Sequence, residues 1–196
     1  MEHKLEKIEK LTNEKYLNLY KAIYKNKNEE ITYLIASRKQ SINDIRINNK
    51  SNICDAVRGL PYFHKDNKLF VVFIKQFRYT INEYVYECPA GMVDENETEQ
   101  QAIKREMLEE IGAEIINLTQ TEKASFSSVG LTDETFSNFE AEIKFVEKPN
   151  LMGGEDIEIE IIPFENIPEF IDSHNLDVTT ALQYKNFYYK KLLESK

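Results

Sequence analysis

Residues 69–74, Leu-Phe-Val-Val-Phe-Ile, are the most β-prone apolar run in the chain and read as a strand buried in the middle of a sheet. Further strands surround it in sequence. Residues 16–24 and 31–39, rich in Tyr and Leu and separated by the turn-like Asn-Lys-Asn-Glu-Glu, read as a β-hairpin. Residues 52–63, 83–91, 114–119 and 136–147 read as strands, as does the alternating Ile-Glu-Ile-Glu-Ile-Ile-Pro-Phe of 157–164. Helical signals occupy 98–111, with Gly112 suited to a C-terminal cap, and 177–195, where aromatic and leucine residues gather on one side. The polar, Lys/Glu-rich residues 2–14 read as a frayed helix or tail, and 46–52 as a loop. Strands outnumber helices, which predicts a mixed α+β sandwich.

With 196 residues, 41% of them hydrophobic, the chain can build one well-cored domain carrying a small appended lobe. No apolar run reaches membrane-spanning length, and the charged start Met-Glu-His-Lys-Leu-Glu-Lys lacks the apolar core of a signal peptide, so a soluble, cytoplasmic protein with no membrane partner is expected. Cys54 and Cys88 are isolated, and His3, His64 and His174 are scattered, so any bound metal would take oxygen ligands. A formal charge of -9 with no basic stripe disfavours nucleic acid and favours a cation or a metal-chelated anion.

The segment 98–111 concentrates negative charge. At about 100° per residue, Glu106, Glu109 and Glu110 share one arc of a helix, while Ile103, Met107, Leu108 and Ile111 fill the adjoining arc and face a core. A solvated helix face would usually alternate signs four residues apart. Here Glu110 repeats the charge of Glu106, which costs a few tenths of a kcal/mol, about what an opposite pair would gain. A divalent cation removes that repulsion, and hard Mg²⁺ prefers carboxylate oxygens.

Spacing adds a stronger signal. Gly91, Glu97 and the run Arg105-Glu106-Met107-Leu108-Glu109-Glu110-Ile111-Gly112-Ala113 fit the pattern G-x5-E-x7-R-E-U-x-E-E-x-G-U, U being apolar, without gap or substitution. This is the Nudix box, and the sequence resembles the Nudix hydrolases. The resemblance implies a Nudix-type α/β/α sandwich with an N-terminal β-hairpin lobe: residues 1–50 would form the tail and a dimerising lobe, and 51–196 the hydrolase domain. It implies Mg²⁺ (or Mn²⁺) held chiefly by Glu106 and Glu110, with Glu109 as an auxiliary, catalytically important ligand and the Ala90 carbonyl as a further one. Gly91, Glu97, Arg105 and Gly112 would be structural, with Glu97 and Arg105 forming an ion pair that braces the loop.

Gln76-Phe77-Arg78 and Glu87-Cys88-Pro89-Ala90-Gly91 resemble elements of the ADP-ribose pyrophosphatase subfamily. That likeness implies a homodimer acting on a small nucleoside diphosphate sugar, ADP-ribose first, giving AMP and ribose 5-phosphate. Tyr16 and Tyr33 would sandwich the base, Arg38 would reach toward the substrate, and Arg78 would grip the diphosphate through a charge-assisted fork. The general base falls at Glu155, with Asp156 as second choice. One departure stands out: in Ser127-Ser128-Val129-Gly130-Leu131-Thr132-Asp133-Glu134, Val129 occupies the place of the proline that marks ADP-ribose specificity. Another nucleoside diphosphate sugar is therefore the alternative substrate, and a non-catalytic nucleotide sensor the alternative class.

Overall fold

The computed structural model describes residues 3–51, 54–151 and 156–194. The chain forms two compact units, residues 1–55 with 124–136, and 56–123 with 137–196.

In the larger unit, strands β4 (Ala56–Lys65), β5 (Lys68–Arg78), β8 (Ala113–Phe126), β9 (Thr135–Phe145) and β10 (Ile157–Pro163) lie in the order β10-β5-β4-β9-β8. Two short strands, β6 (Glu83–Glu87) and β7 (Ala90–Met92), add to β5 and β4. β5 carries the apolar run at 69–74, and the expected burial holds. Val72 and Ile74 pack with Ala102, Ile103, Met107 and Ile111 of helix α1 (Glu99–Ile111), while Val71 and Phe73 pack on the opposite face. There they meet Phe170 of α2 (Ile167–Ser173) and Tyr184 and Phe187 of α3 (Val178–Glu194). The Phe73 and Tyr184 rings stack at 3.8 Å between centroids, and the Tyr184 hydroxyl donates to the Val72 carbonyl, so the buried phenol keeps a partner. Helices therefore cover both faces of the sheet, the α/β/α arrangement that the sequence resemblance implies.

The smaller unit contains an antiparallel three-stranded sheet, β1 (Lys4–Lys10), β2 (Asn18–Asn26) and β3 (Glu29–Ser37). β2 and β3 are the expected hairpin. β1 is a correction, because Lys/Glu-rich residues 2–14 read as helix or tail. Pairing with β2 overrides the local propensity, and Lys4–Glu6 (3.1 Å), Lys7–Glu9 and Lys21–Glu9 (3.9 Å) ion pairs line the strand. Two further differences have local causes. Residues 83–91 split into β6 and β7 at Cys88-Pro89, where proline removes a ladder donor. The short α2, with a proline in its first turn, lay hidden between the strand and the closing helix.

Among the described residues no helix is long and apolar enough to cross a membrane. Cys88 lies between the sheet and α3, its N–H donating to Thr180 Oγ1 at 3.0 Å, and burial pushes its thiol from 9.0 up to about 12. The unfolded thiol ionises first, so this group's stabilising contribution is complete below pH 9.0 and is lost as pH rises toward about 12. In a Cys54→Ser variant, reaction of native Cys88 with a disulfide reagent at pH 8 should run at least about 100-fold slower than in guanidinium. Equal rates would show an accessible thiolate.

Candidate active site

Helix α1 starts with a capping box: Thr98 accepts the Gln101 N–H, and the Gln101 side chain accepts the Thr98 N–H at 2.9 Å. It ends at Gly112, whose φ of 65° is left-handed and whose N–H bonds the Leu108 carbonyl at 3.0 Å. A Cβ at Gly112 would stand 2.2 Å from the Glu147 carbonyl oxygen, so space as well as backbone conformation requires glycine. Both ends are thus fixed by local chemistry, and the intervening turns hold the acidic residues in a set rotation.

That rotation buries the carboxylates. Glu106 and Glu110 are only 8% and 3% exposed, on the same face as the fully buried Ile103, Met107 and Ile111. Leu108, expected on the core arc, is half-buried, and Ala102 joins the core instead. Two charges desolvated this far require compensation. Arg105 compensates Glu106. Its Nε and Nη2 form a fork on Glu97 at 3.0 Å each, Nη1 reaches Glu106 at 2.5 Å and Glu109 at 3.2 Å, and Nη2 also donates to the Met92 carbonyl at 2.9 Å. Glu97 foremost, then Glu106 and Glu109, raise the guanidinium pKa far above its ordinary value, and Arg105 in turn holds the Glu97 carboxyl below 4.5.

β7 closes on the same residues. The Ala90 N–H donates to Glu110 Oε2 at 3.1 Å. A Cβ added to Gly91 would stand 1.8 Å from Glu106 Oε1, so only glycine lets the strand lie against that carboxylate. Gly59 of β4 plays a similar part, because a Cβ there would meet Met107 Cε at 2.3 Å. Ala90, Gly91, Glu97, Arg105, Glu106, Glu109 and Glu110 are therefore one constellation.

Glu97, Glu106 and Glu109 share one guanidinium here while Glu110 accepts from the Ala90 N–H, and all the anionic donors are hard oxygens, a set that suits Mg²⁺ or Mn²⁺. With Arg105 Nη1 bridging Glu106 and Glu109, no three His, Cys, Asp or Glu side chains among the described residues already converge as metal ligands. A divalent ion held by Glu106 and Glu109 would compete with that one nitrogen, and the fork on Glu97 uses the guanidinium's other two nitrogens.

Arg78, at the end of β5, donates from Nε to Glu87 Oε2 at 2.6 Å and remains about half exposed. Sequence reasoning missed Glu87 as a site residue although it lies inside the Glu-Cys-Pro-Ala-Gly element. Burial raises its carboxyl above 4.5 against the pull of Arg78. Asp156 accepts the Tyr84 hydroxyl at 2.5 Å, and Glu155 lies outside the described residues.

In the smaller unit, Tyr16 lies in the bend before β2, is 69% exposed, and has Lys15 Nζ 4.7 Å over its ring. Tyr33 is on β3 and donates its hydroxyl to the Gly130 carbonyl at 2.8 Å. Arg38 pairs with Glu134 at 2.5 Å. Tyr33, with Tyr24, Ile35, Phe126, Val129 and Leu131, lines a largely apolar pocket of about 370 Å³. Tyr16 does not line it.

The NUDIX domain family matches residues 52–182 of this sequence. The chain belongs to that family. It is 37% identical over 81 residues to "Putative nudix hydrolase 2" of Caenorhabditis elegans, 41% of this chain but only 36% of the worm protein. It is 29% identical over 128 residues to the ADP-ribose pyrophosphatase of Bacillus subtilis, 64% of this chain and 69% of that protein. A crystal structure of an ADP compounds hydrolase superposes with a TM-score of 0.73, covering 100% of this chain and 96% of that one at 13% identity, so the Nudix chain fold is shared.

The site makes a pH prediction. Because the Glu97 carboxyl is depressed in the fold, its contribution to stability is complete above 4.5 and is lost as pH falls through its lowered value. The melting temperature measured in EDTA should decline below pH 4.5, and Glu97→Gln should lower it at pH 7 while flattening that decline. An unchanged slope in the variant would place the acid sensitivity elsewhere.

Proposed function

We propose that this Nudix protein is a cytoplasmic, Mg²⁺-dependent pyrophosphatase that hydrolyses ADP-ribose to AMP and ribose 5-phosphate. The observation that carries the reading is the buried Glu106/Glu110 pair of α1, packed against Gly91 and Ala90 and only partly neutralised by Arg105. Likeness to the Bacillus ADP-ribose pyrophosphatase supports the substrate assignment.

When bound, the ion would neutralise the diphosphate oxygens and activate water as a nucleophile. The protein's own residues do the rest. Glu106, Glu109 and Glu110 form the ligand rack, and the Ala90 carbonyl is assigned beside them. Arg78 holds a phosphate through the terminal guanidinium N–H groups, its Nε being the one that serves Glu87. Glu155 takes the proton of the attacking water, with Asp156 as the alternate base. One phosphorus–oxygen bond of the bridge breaks, oxygen from water joins phosphorus, and two phosphomonoesters leave. The aromatic-lined pocket holding Tyr33 receives the adenine, whose flat faces suit Tyr24 and Phe126.

Val129 favours a second reading, another nucleoside diphosphate sugar, because it puts an exposed, branched aliphatic side chain on the pocket wall in place of a proline ring. Product analysis with ADP-ribose, ADP-glucose and GDP-mannose, each with Mg²⁺ and with EDTA, separates the two. Fastest metal-dependent AMP release is expected from ADP-ribose, and Glu106→Gln should lower turnover at least about 100-fold without unfolding the chain. Near-normal turnover in that variant would remove the metal assignment.

The amino-terminal sheet exposes Tyr33 and Leu34, and we assign it a dimer contact. Light scattering at micromolar concentration should give twice the mass of the 23.0 kDa chain; a monomer would refute the contact.

A further inference from the structure

Within the smaller unit, the turn at 127–134 is fastened at successive points to β3 and to Arg38 just beyond its end. Tyr33 Oη donates to the Gly130 carbonyl at 2.8 Å, the Ala36 N–H to the Leu131 carbonyl at 2.9 Å, and Arg38 Nε to Glu134 Oε1 at 2.5 Å. From another direction, the Arg46 N–H donates to Asp133 Oδ2 at 2.9 Å, while the Arg46 guanidinium reaches Thr135 Oγ1 at 3.1 Å. Asp55 secures the base of the turn by accepting the Thr135 N–H at 2.9 Å and Lys39 Nζ at 2.5 Å.

The fastened turn is one wall of the apolar pocket. Val129, Leu131 and Asp133 line it from the turn, Tyr33 and Ile35 from β3, and Ile45 from the chain just before Arg46. Ile45 is fully buried, so the polar segment 46–52 begins at a core anchor. Val129 and Leu131 are themselves 77% and 62% exposed, so burial does not hold them in place. The separation between turn and β3, and with it the pocket's width, is set by the three bonds from Tyr33, Ala36 and Arg38.

We propose that Tyr33, through its hydroxyl, and Arg38 are positioning residues that latch the 127–134 turn and thereby fix which base the pocket accepts. This inference rests on the pocket being the nucleobase site. Arg38 then acts through Glu134 and makes no bond to substrate. A pocket of set width discriminates a purine from the smaller pyrimidine, and a loosened wall loses contact with the base while sparing the groups that perform hydrolysis.

The test uses the intact protein in EDTA, titrated by calorimetry with AMP, UMP and ribose 5-phosphate, followed by steady-state hydrolysis of ADP-ribose with Mg²⁺. Wild type should bind AMP more tightly than ribose 5-phosphate, and Phe126→Ala should erase that difference. If either fails, the pocket is not the base site and the latch falls with it. Given a base site, Tyr33→Phe keeps the ring and removes only the donor to Gly130, so AMP affinity should fall about fivefold and KM rise alike with kcat retained. The preference for AMP over UMP should narrow by the same factor. Arg38→Ala should behave similarly and Arg38→Lys should recover most of the loss, with melting temperature confirming that each variant folds. Wild-type selectivity and KM in both Tyr33→Phe and Arg38→Ala would overturn the latch while leaving the base site standing.

Discussion

Everything about the acidic helix follows from the cost of burying carboxylates. Glu106 and Glu110 point the same way as Ile103, Met107 and Ile111, so packing α1 on the sheet carries two charges into the interior face with it. Removing one compensating partner from a buried charge costs several kcal/mol, typically about 3–5. The structure answers with a planar guanidinium, which can serve Glu97 through one edge and Glu106 and Glu109 through another. Lysine could not divide itself in this way. Gly91 serves the same packing, because a Cβ there would displace the Glu106 carboxylate, and Gly59 leaves room for the ends of Met107 and Ile103.

Legibility in the sequence tracked the range of the interactions involved. β5 and α1 were readable because an unbroken apolar run, a capping box and a terminal glycine all lie within a few residues of what they specify. β1 was not, because its Lys/Glu composition favours a helix locally and only the register against Lys21, Ile23 and Lys25 makes it a strand. The cluster of Glu97, Arg105, Glu106, Glu109 and Glu110 against β7 was visible through fixed spacing along one loop and helix. By contrast, the Arg78–Glu87 pair joins two strands, and the Asp55–Thr135 bonds join residues 80 apart. No local pattern announces either. Tyr33 and Arg38 were singled out in and beside the second strand of the hairpin, but their partners on the 127–134 turn were not legible.

Charge also decides how the proposed reaction must be organised. A chain with a net charge of -9 gathers Glu97, Glu106 and Glu109 on Arg105 and sets Glu110 one helical turn beyond Glu106, and the proposed substrate brings a diphosphate of like sign. Arg78 could attract one phosphate, yet its Nε is already committed to Glu87, whose carboxyl is raised by burial and so gains by keeping that partner. A divalent ion would serve both the rack and the substrate: it would relieve Glu106 and Glu109 of their shared hold on Arg105 Nη1 and would give the diphosphate something positive to bind. The carboxylates that oppose the substrate in the metal-free protein are, in this reading, what bring it to the water that cleaves it.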